Sequence, residues 1–218
     1  MPKRFELLVF DWDGTLIDSA GAIATCIQEA ARDLGLAVPD DERARHVIGL
    51  GLADALAYAV PELPVAEYGR MAERYRHHFM ARDAGLPLFA GTRELLERLH
   101  AGGFRLAIAT GKSKAGLARG LEHLGLEGLF EATRCADQCA PKPAPDMLIE
   151  LMSELATGRA HTLMIGDTAH DLGMAANAGV AAVAVGYGAH PAEQLAAFGP
   201  LTLASSTAEL AAWLDEHA

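Results

Sequence analysis

The residues in this 218-residue chain that could do chemistry are acids in closely spaced pairs. Asp11 and Asp13 follow the apolar run 5–10, in the stretch Asp11-Trp12-Asp13-Gly14-Thr15-Leu16. Asp167 and Asp171 follow the run 162–165, in Gly166-Asp167-Thr168-Ala169-His170-Asp171. Thr110-Gly111-Lys112-Ser113 follows the run 105–109, and Pro141-Lys142-Pro143 stands just before a helical pattern that starts near Pro145. Carboxylates gathered in a partly buried cleft repel one another strongly. A hard cation removes that cost, and an all-oxygen set suits Mg²⁺ rather than zinc. Such a cation leaves positions open for water and a phosphate oxygen. Lys142 and Thr110 add positive charge and a hydrogen bond for a further phosphate oxygen. One carboxylate then stays free to attack phosphorus and form an aspartyl-phosphate.

The elements that carry these loops must bring them to one edge. The runs 5–10, 105–109, 162–165 and 180–185 are continuously apolar, the mark of strands buried on both faces of a parallel sheet. Between them, 93–100, 114–123, 145–155 and 172–178 have helical spacing, with Gly102-Gly103, Gly125 and Gly179 as stops. A last strand at 201–203 and a closing helix at 209–216 complete the pattern. This predicts an α/β fold with a Rossmann-like parallel sheet, in which ligands bind at the carboxyl ends of the strands. The interval 17–85 breaks the alternation. It contains only helical patterns (23–34, 42–48, 53–59 and 65–82), punctuated by Pro39, Gly49, Gly51, Pro61 and Pro64. It is expected to form a small α-helical domain inserted into a core made of residues 1–16 and 86–218. Gly85-Leu86-Pro87 and Ala90-Gly91 would form the return hinge.

Composition narrows the function further. Hydrophobic residues make up 51% and charged residues 22%, a globular mixture rather than a disordered one. With 29 acidic and 18 basic residues the net charge is −11, which disfavours nucleic-acid binding. Cys26, Cys135 and Cys139 are too few and odd in number for a disulfide framework and suit a reducing cytosol. The apolar run after the basic residues 1–4 is too short for a secretion signal, and no stretch approaches the roughly 18 apolar residues of a membrane span. A cytoplasmic protein acting on a small molecule, with no nucleic-acid or membrane partner, is expected. Its oligomeric state, monomer or dimer, is left open.

Asp11-Trp12-Asp13-Gly14-Thr15, Thr110-Gly111, Lys142 and the 166–171 stretch occur in the order of the four motifs of the haloacid dehalogenase-like hydrolases, which the chain resembles over essentially its whole length. The stretches 10–19, 110–113, 142–146 and 166–172 resemble the phosphoglycolate phosphatase subgroup, which carries a helical cap. The resemblance implies a Mg²⁺-dependent phosphatase. Asp11 would be nucleophile and metal ligand. Asp13 would be the acid that protonates the leaving alcohol and then the base that activates water, with its backbone carbonyl on the metal. Thr110 and the Gly111 N–H would hold the phosphoryl group and Lys142 would tie it to Asp11. Asp167 would bind metal directly, and Asp171 would hold a metal water or orient Lys142. A sugar-phosphate phosphatase or a phosphomutase of the same family is an alternative. So is a phospho-accepting signalling module, against which Asp13 argues, since such a module has no use for a general acid/base.

Other residues have plainer roles open to them. Asp171 could simply cap the following helix. Ser113 could start a helix, and Lys112 could be a solvated neighbour. His170 is expected to be exposed, Cys135 and Cys139 to pack, and Trp12 to lie under its loop. Arg74, Arg76, His77 and His78 suit a solvated helix face. For substrate, the subgroup resemblance implies 2-phosphoglycolate. The stretch Arg43-Ala44-Arg45-His46-Val47-Ile48-Gly49 makes Arg45, with Arg43 second, the candidate for its carboxylate, against the alternative that both are solvated.

Overall fold

A computed structural model describes residues 4–218. Its centre is a six-stranded, all-parallel sheet: β1 (Leu7–Phe10), β2 (Arg105–Thr110), β3 (Ala132–Cys135), β4 (Thr162–Gly166), β5 (Ala181–Val185) and β6 (Leu203–Ala204). The spatial order is β3-β2-β1-β4-β5-β6. β1 therefore lies between β2 and β4, with Leu7 opposite Arg105 on one side and Thr162 on the other. The chain reverses its direction of travel across the sheet at this point, where doubly wound folds place their ligands.

The sheet is buried because both its faces are covered. Leu8, Phe10, Leu106, Ile108, Leu163 and Ile165 point to one face and meet α5 (Thr92–Ala101), α6 (Lys114–Leu124) and α10 (Thr207–His217) through Leu96, Leu117 and Leu210. Leu7, Val9, Ala107, Ala109 and Met164 point to the other and meet α7 (Asp146–Glu154) and α8 (Ala169–Ala178) through Leu148, Leu151 and Met174. The period-2 alternation of strand side chains thus divides one apolar run between two layers.

Between β1 and α5 the described residues contain no strand beyond two isolated bridges at Ile17. The helices there are α1 (Ala20–Asp33), α2 (Asp41–His46), α3 (Leu52–Ala59) and α4 (Tyr68–Asp83). Ile23, Ile27, Val47, Leu56, Met71 and Phe79 give them an apolar cluster of their own. Arg76 and His77 are exposed, and the partly exposed Arg74 and His78 are paired: Arg74 pairs with Asp33 at 2.5 Å, while His78 lies 2.8 Å from Asp33 and 3.2 Å from Glu29, tying α4 to α1.

Two elements were not expected. β3 reads Ala-Thr-Arg-Cys, and Arg134 reaches sideways to Glu150 and Glu154 of α7. An edge strand with a half-exposed face needs no continuous apolar run, so it left no such signal. The other is the short α9 (Ala192–Ala196) after Pro191. β1 and the last strand are shorter or shifted, at Leu7–Phe10 and Leu203–Ala204 rather than 5–10 and 201–203. No helix among the described residues is long and apolar enough to cross a membrane.

Candidate functional site

The carboxyl ends of β1, β2 and β4 bring Asp11, Thr110 and Asp167 to one edge, and the turn before α7 delivers Lys142 beneath them. Asp11, Thr110, Lys142, Asp167 and Asp171 are all essentially inaccessible to solvent. Lys142 Nζ lies 2.8 Å from Asp11 Oδ1 and 2.6 Å from Asp171 Oδ1, so one ammonium joins two buried carboxylates. Burial alone would depress the Lys142 pKa, but the two carboxylates outweigh it and hold it above the ordinary lysine value.

Each acid is fixed from its other side. Asp11 Oδ1 also accepts from the Trp12 N–H at 2.6 Å. Asp171 Oδ2 accepts from the Thr168 hydroxyl at 2.6 Å and the Thr168 N–H at 3.0 Å, closing a capping box at the start of α8. Asp171 therefore both caps its helix and holds Lys142. Asp167 accepts from the Thr15 hydroxyl at 2.7 Å and the Ala189 N–H at 2.7 Å. Gly14, at φ +84°, is what lets the β1 loop come this close: a Cβ there would overlap the Asp167 carboxylate.

Asp11, Asp167 and Asp171 each offer an oxygen within 4.8 Å of the others'. Burial, followed by the charge of Asp171, raises the Asp11 pKa well above the usual carboxylate range and pushes Asp167 up to about 7. The second Asp11 oxygen, Oδ2, is buried without a hydrogen-bond partner. An orphaned buried oxygen among three repelling acids fits a bound divalent cation with oxygen ligands. The Asp13 carboxylate stands apart from this group. Its Oδ1 accepts from the Ser19 hydroxyl at 2.9 Å and faces Lys112 Nζ at 3.4 Å.

The helical segment forms the roof. Gly49, at φ +90°, places its Cα side against Thr168 and near Asp11 Oδ2, and Gly111 meets the Gly49 and Leu50 carbonyls so closely that a Cβ there would lie 2.6 Å from the Gly49 oxygen. Roof and floor enclose a cavity of about 560 Å³. Asp11, Asp13, Thr110, Gly111 and Lys112 line its base, and Ile23, Leu52, Leu56, Tyr75, Phe79 and Met80 line its apolar wall. Burial, then the charge of Asp13, raises the Tyr75 pKa well above the ordinary phenol value.

The cationic groups on that wall are Arg76 and Arg119. Arg45 and Arg43 do not line it; they border a separate depression with His46, Tyr58 and His190. The α2 helix turns their side chains outward while the chain continues to Gly49 over the site. Arg76, taken from sequence as part of a solvated face, is thus the arginine beside the cavity. Arg76 is nonetheless exposed, whereas His170, expected to be exposed, is not. It is half-buried, and its Nε2 and that of His190 lie 2.7 and 3.0 Å from the His46 carbonyl oxygen, which joins α2 to the core. Burial lowers the pKa of both rings, that of His190 to about 4. Ser113 caps α6 by accepting from the Gly116 N–H, Trp12 is buried against Gly120, and Cys135 is a buried thiol pushed up to about 11.

The family model for haloacid dehalogenase-like hydrolases matches residues 8–185, from β1 through β5. The chain belongs to that family. Its relatives include a probable phosphatase, IndB, from Dickeya dadantii, 37% identical over 94% of this chain and 91% of that protein. A phosphoglycolate phosphatase from Agrobacterium fabrum is 30% identical over 84% of this chain and 81% of its own length. A hydrolase of known structure from Pseudomonas syringae superposes with a TM-score of 0.87 at 24% identity, covering 97% of this chain and 98% of that one, and shares the fold. With phosphatases among such relatives, this haloacid dehalogenase-like hydrolase is a phosphoric monoester hydrolase.

Proposed function

We propose that the protein hydrolyses a small phosphate monoester in a Mg²⁺-dependent reaction that passes through an aspartyl-phosphate on Asp11. The observation that carries this reading is the Asp11 carboxylate, one oxygen held by Lys142 and Trp12 N–H and the other buried without a partner. Asp11, Asp167 and the backbone carbonyl of Asp13 would hold the ion, with Asp171 acting on it through water while it orients Lys142. When bound, Mg²⁺ would offset the carboxylate repulsion and withdraw charge from the phosphoryl oxygens.

The chain's own groups supply the rest. Lys142 opposes the rise in the Asp11 pKa and fixes the orientation of its carboxylate, which attacks phosphorus. Thr110 and the Gly111 N–H bind phosphoryl oxygens. Asp13, outside the acid triad and facing the cavity, protonates the leaving alcohol and then takes a proton from the water that cleaves the acyl phosphate. Residues 17–85 act as a cap that meets the leaving group with Leu52, Leu56, Tyr75 and Phe79. An anionic tail, such as the carboxylate of 2-phosphoglycolate, would find Arg76 and Arg119 rather than Arg45. Three unpaired thiols accord with a reducing, cytoplasmic setting.

The test is turnover of a panel of phosphate esters after exhaustive chelation and after return of Mg²⁺ or Ca²⁺. Chelation should abolish activity, Mg²⁺ restore it, and Ca²⁺, with its larger and looser shell, fail to do so. Full activity without divalent ions would reject the metal-dependent mechanism.

A further inference from the structure

Lys112 is not needed for the phosphate cradle just described, yet it occupies a particular junction. Its Nζ lies 3.4 Å from Asp13 Oδ1 and 3.5 Å from Asp83 Oδ1, and 4.3 Å from the centre of the Phe79 ring. Asp13 belongs to the β1 loop. Lys112 belongs to the β2 loop, while Phe79 and Asp83 belong to the last turns of α4 in the roof. All three charged side chains are at most 18% exposed. Lys112 and Asp13 border both the main cavity and a second one, of about 480 Å³, that Asp83 borders as well.

We propose that Lys112 is a positioning residue, whose ammonium couples the Asp13 carboxylate to the C-terminal end of α4, so that Asp13 is aimed for proton transfer only while the helical roof sits on the core. Three observations support this. First, an ammonium shared between two carboxylates from different parts of the fold fixes their separation. Losing one partner leaves the other to relax toward solvent or toward Ser19, which already holds the same Asp13 oxygen. Second, the Phe79 ring face adds a cation–π contact that only the seated roof supplies. Third, the Lys112 ammonium faces Asp13 and Asp83, whereas the Lys142 ammonium pairs with a different set of acids, Asp11 and Asp171. The proposal rests on the phosphatase reading above.

The test uses two esters of opposite demand. An alkyl ester such as β-glycerophosphate needs a proton on its leaving oxygen, whereas p-nitrophenyl phosphate leaves as a stable phenolate. General acid catalysis contributes roughly 10²–10⁴-fold, and displacement of a catalytic group by about 1 Å can remove much of that. In Lys112→Met, kcat for the alkyl ester should therefore fall by roughly tenfold or more, with KM changed less than about threefold. The phosphorylation rate with p-nitrophenyl phosphate, read from the rapid first turnover, should stay within about threefold of wild type. Asp83→Asn, which touches no substrate, should reproduce part of the alkyl-ester loss, and the double variant should be no worse than Lys112→Met alone. Equal losses on the two esters, or an Asp83→Asn protein with wild-type kcat, would overturn the coupling while leaving the phosphatase reading standing. A wild type inert toward every phosphate ester would overturn both.

Discussion

Replacing Lys142 with Met should cost more stability than any truncation of comparable size elsewhere in the fold, and the cost should depend on pH. The substitution keeps the apolar stem and removes the ammonium that lies 2.8 Å from Asp11 and 2.6 Å from Asp171. It leaves three inaccessible carboxylates, with oxygens within 4.8 Å of one another, and no compensating cation. Breaking a buried ion pair from one side costs about 3–5 kcal/mol. With a urea slope of about 2 kcal/mol per molar, the midpoint should fall by roughly 2 M at pH 7.5 in EDTA. The pH dependence follows from the raised carboxyl values. A carboxyl whose folded pKa lies above its unfolded one destabilises the fold increasingly as pH climbs from the unfolded value to the folded one, and Asp167 is already at about 7 with Lys142 in place. Deleting Lys142 pushes these groups further in the same direction, so the variant should recover much of its deficit at pH 5, where protons replace the lost cation. Added Mg²⁺ should recover part of it at pH 7.5 by mass action. Urea unfolding followed by circular dichroism at both pH values measures this directly. A loss below about 1 kcal/mol at pH 7.5, or one unchanged at pH 5, would refute the argument that Lys142 neutralises this cluster.

Two further outcomes are expected. His190 is nearly inaccessible, accepts from the Ala169 N–H, and has its pKa lowered to about 4; the unfolded chain therefore binds the extra proton first, and stability should drain as pH falls from 6.5 toward 4 by up to about 3 kcal/mol. His190→Asn should flatten that dependence relative to wild type in parallel unfolding titrations, and identical slopes would remove His190 as its source. For an ester with a carboxylate tail, Arg76→Ala or Arg119→Ala should lower kcat/KM by about 1.5–3 kcal/mol relative to an uncharged ester, whereas Arg45→Ala should be neutral. Selective loss in Arg45→Ala instead would mean that the arginine reaches the cavity by a route the structure does not suggest.

The sheet and the loops at its edge were legible because both rest on strong local signals. A continuously apolar run such as 162–165 can only be a strand covered on both sides, and the residue after it must emerge at the sheet's carboxyl end. Asp11, Thr110 and Asp167 follow from that rule alone. Lys142 was harder, since it precedes a helix and reaches the cluster only through the fold; its motif drew attention where periodicity did not. β3 escaped notice because Thr133 and Arg134 serve an edge strand. Arg45 misled for a related reason. The glycine turn at Gly49 does lie over Asp11, as its position in the loop suggested, but which way the preceding turn of α2 points its arginines depends on packing by Ala44 and Val47 that sequence does not display. Arg76 and Lys112 owe their places to how the helical roof rests on the core. That contact joins residues far apart in the chain, 112 to 83 and 79, and no local pattern encodes it.

The claim at the centre of this account is that Asp11 becomes phosphorylated. Rapid acid quench of the Mg²⁺-loaded protein during its first turnover of a phosphate-labelled ester, followed by peptide mapping, tests it most directly. The account predicts an acid-stable, base-labile label on the peptide that carries Asp11, formed no slower than product phosphate and absent from Asp11→Asn. Phosphate released at the wild-type rate with no label on that peptide, or with the label on another side chain, would contradict it.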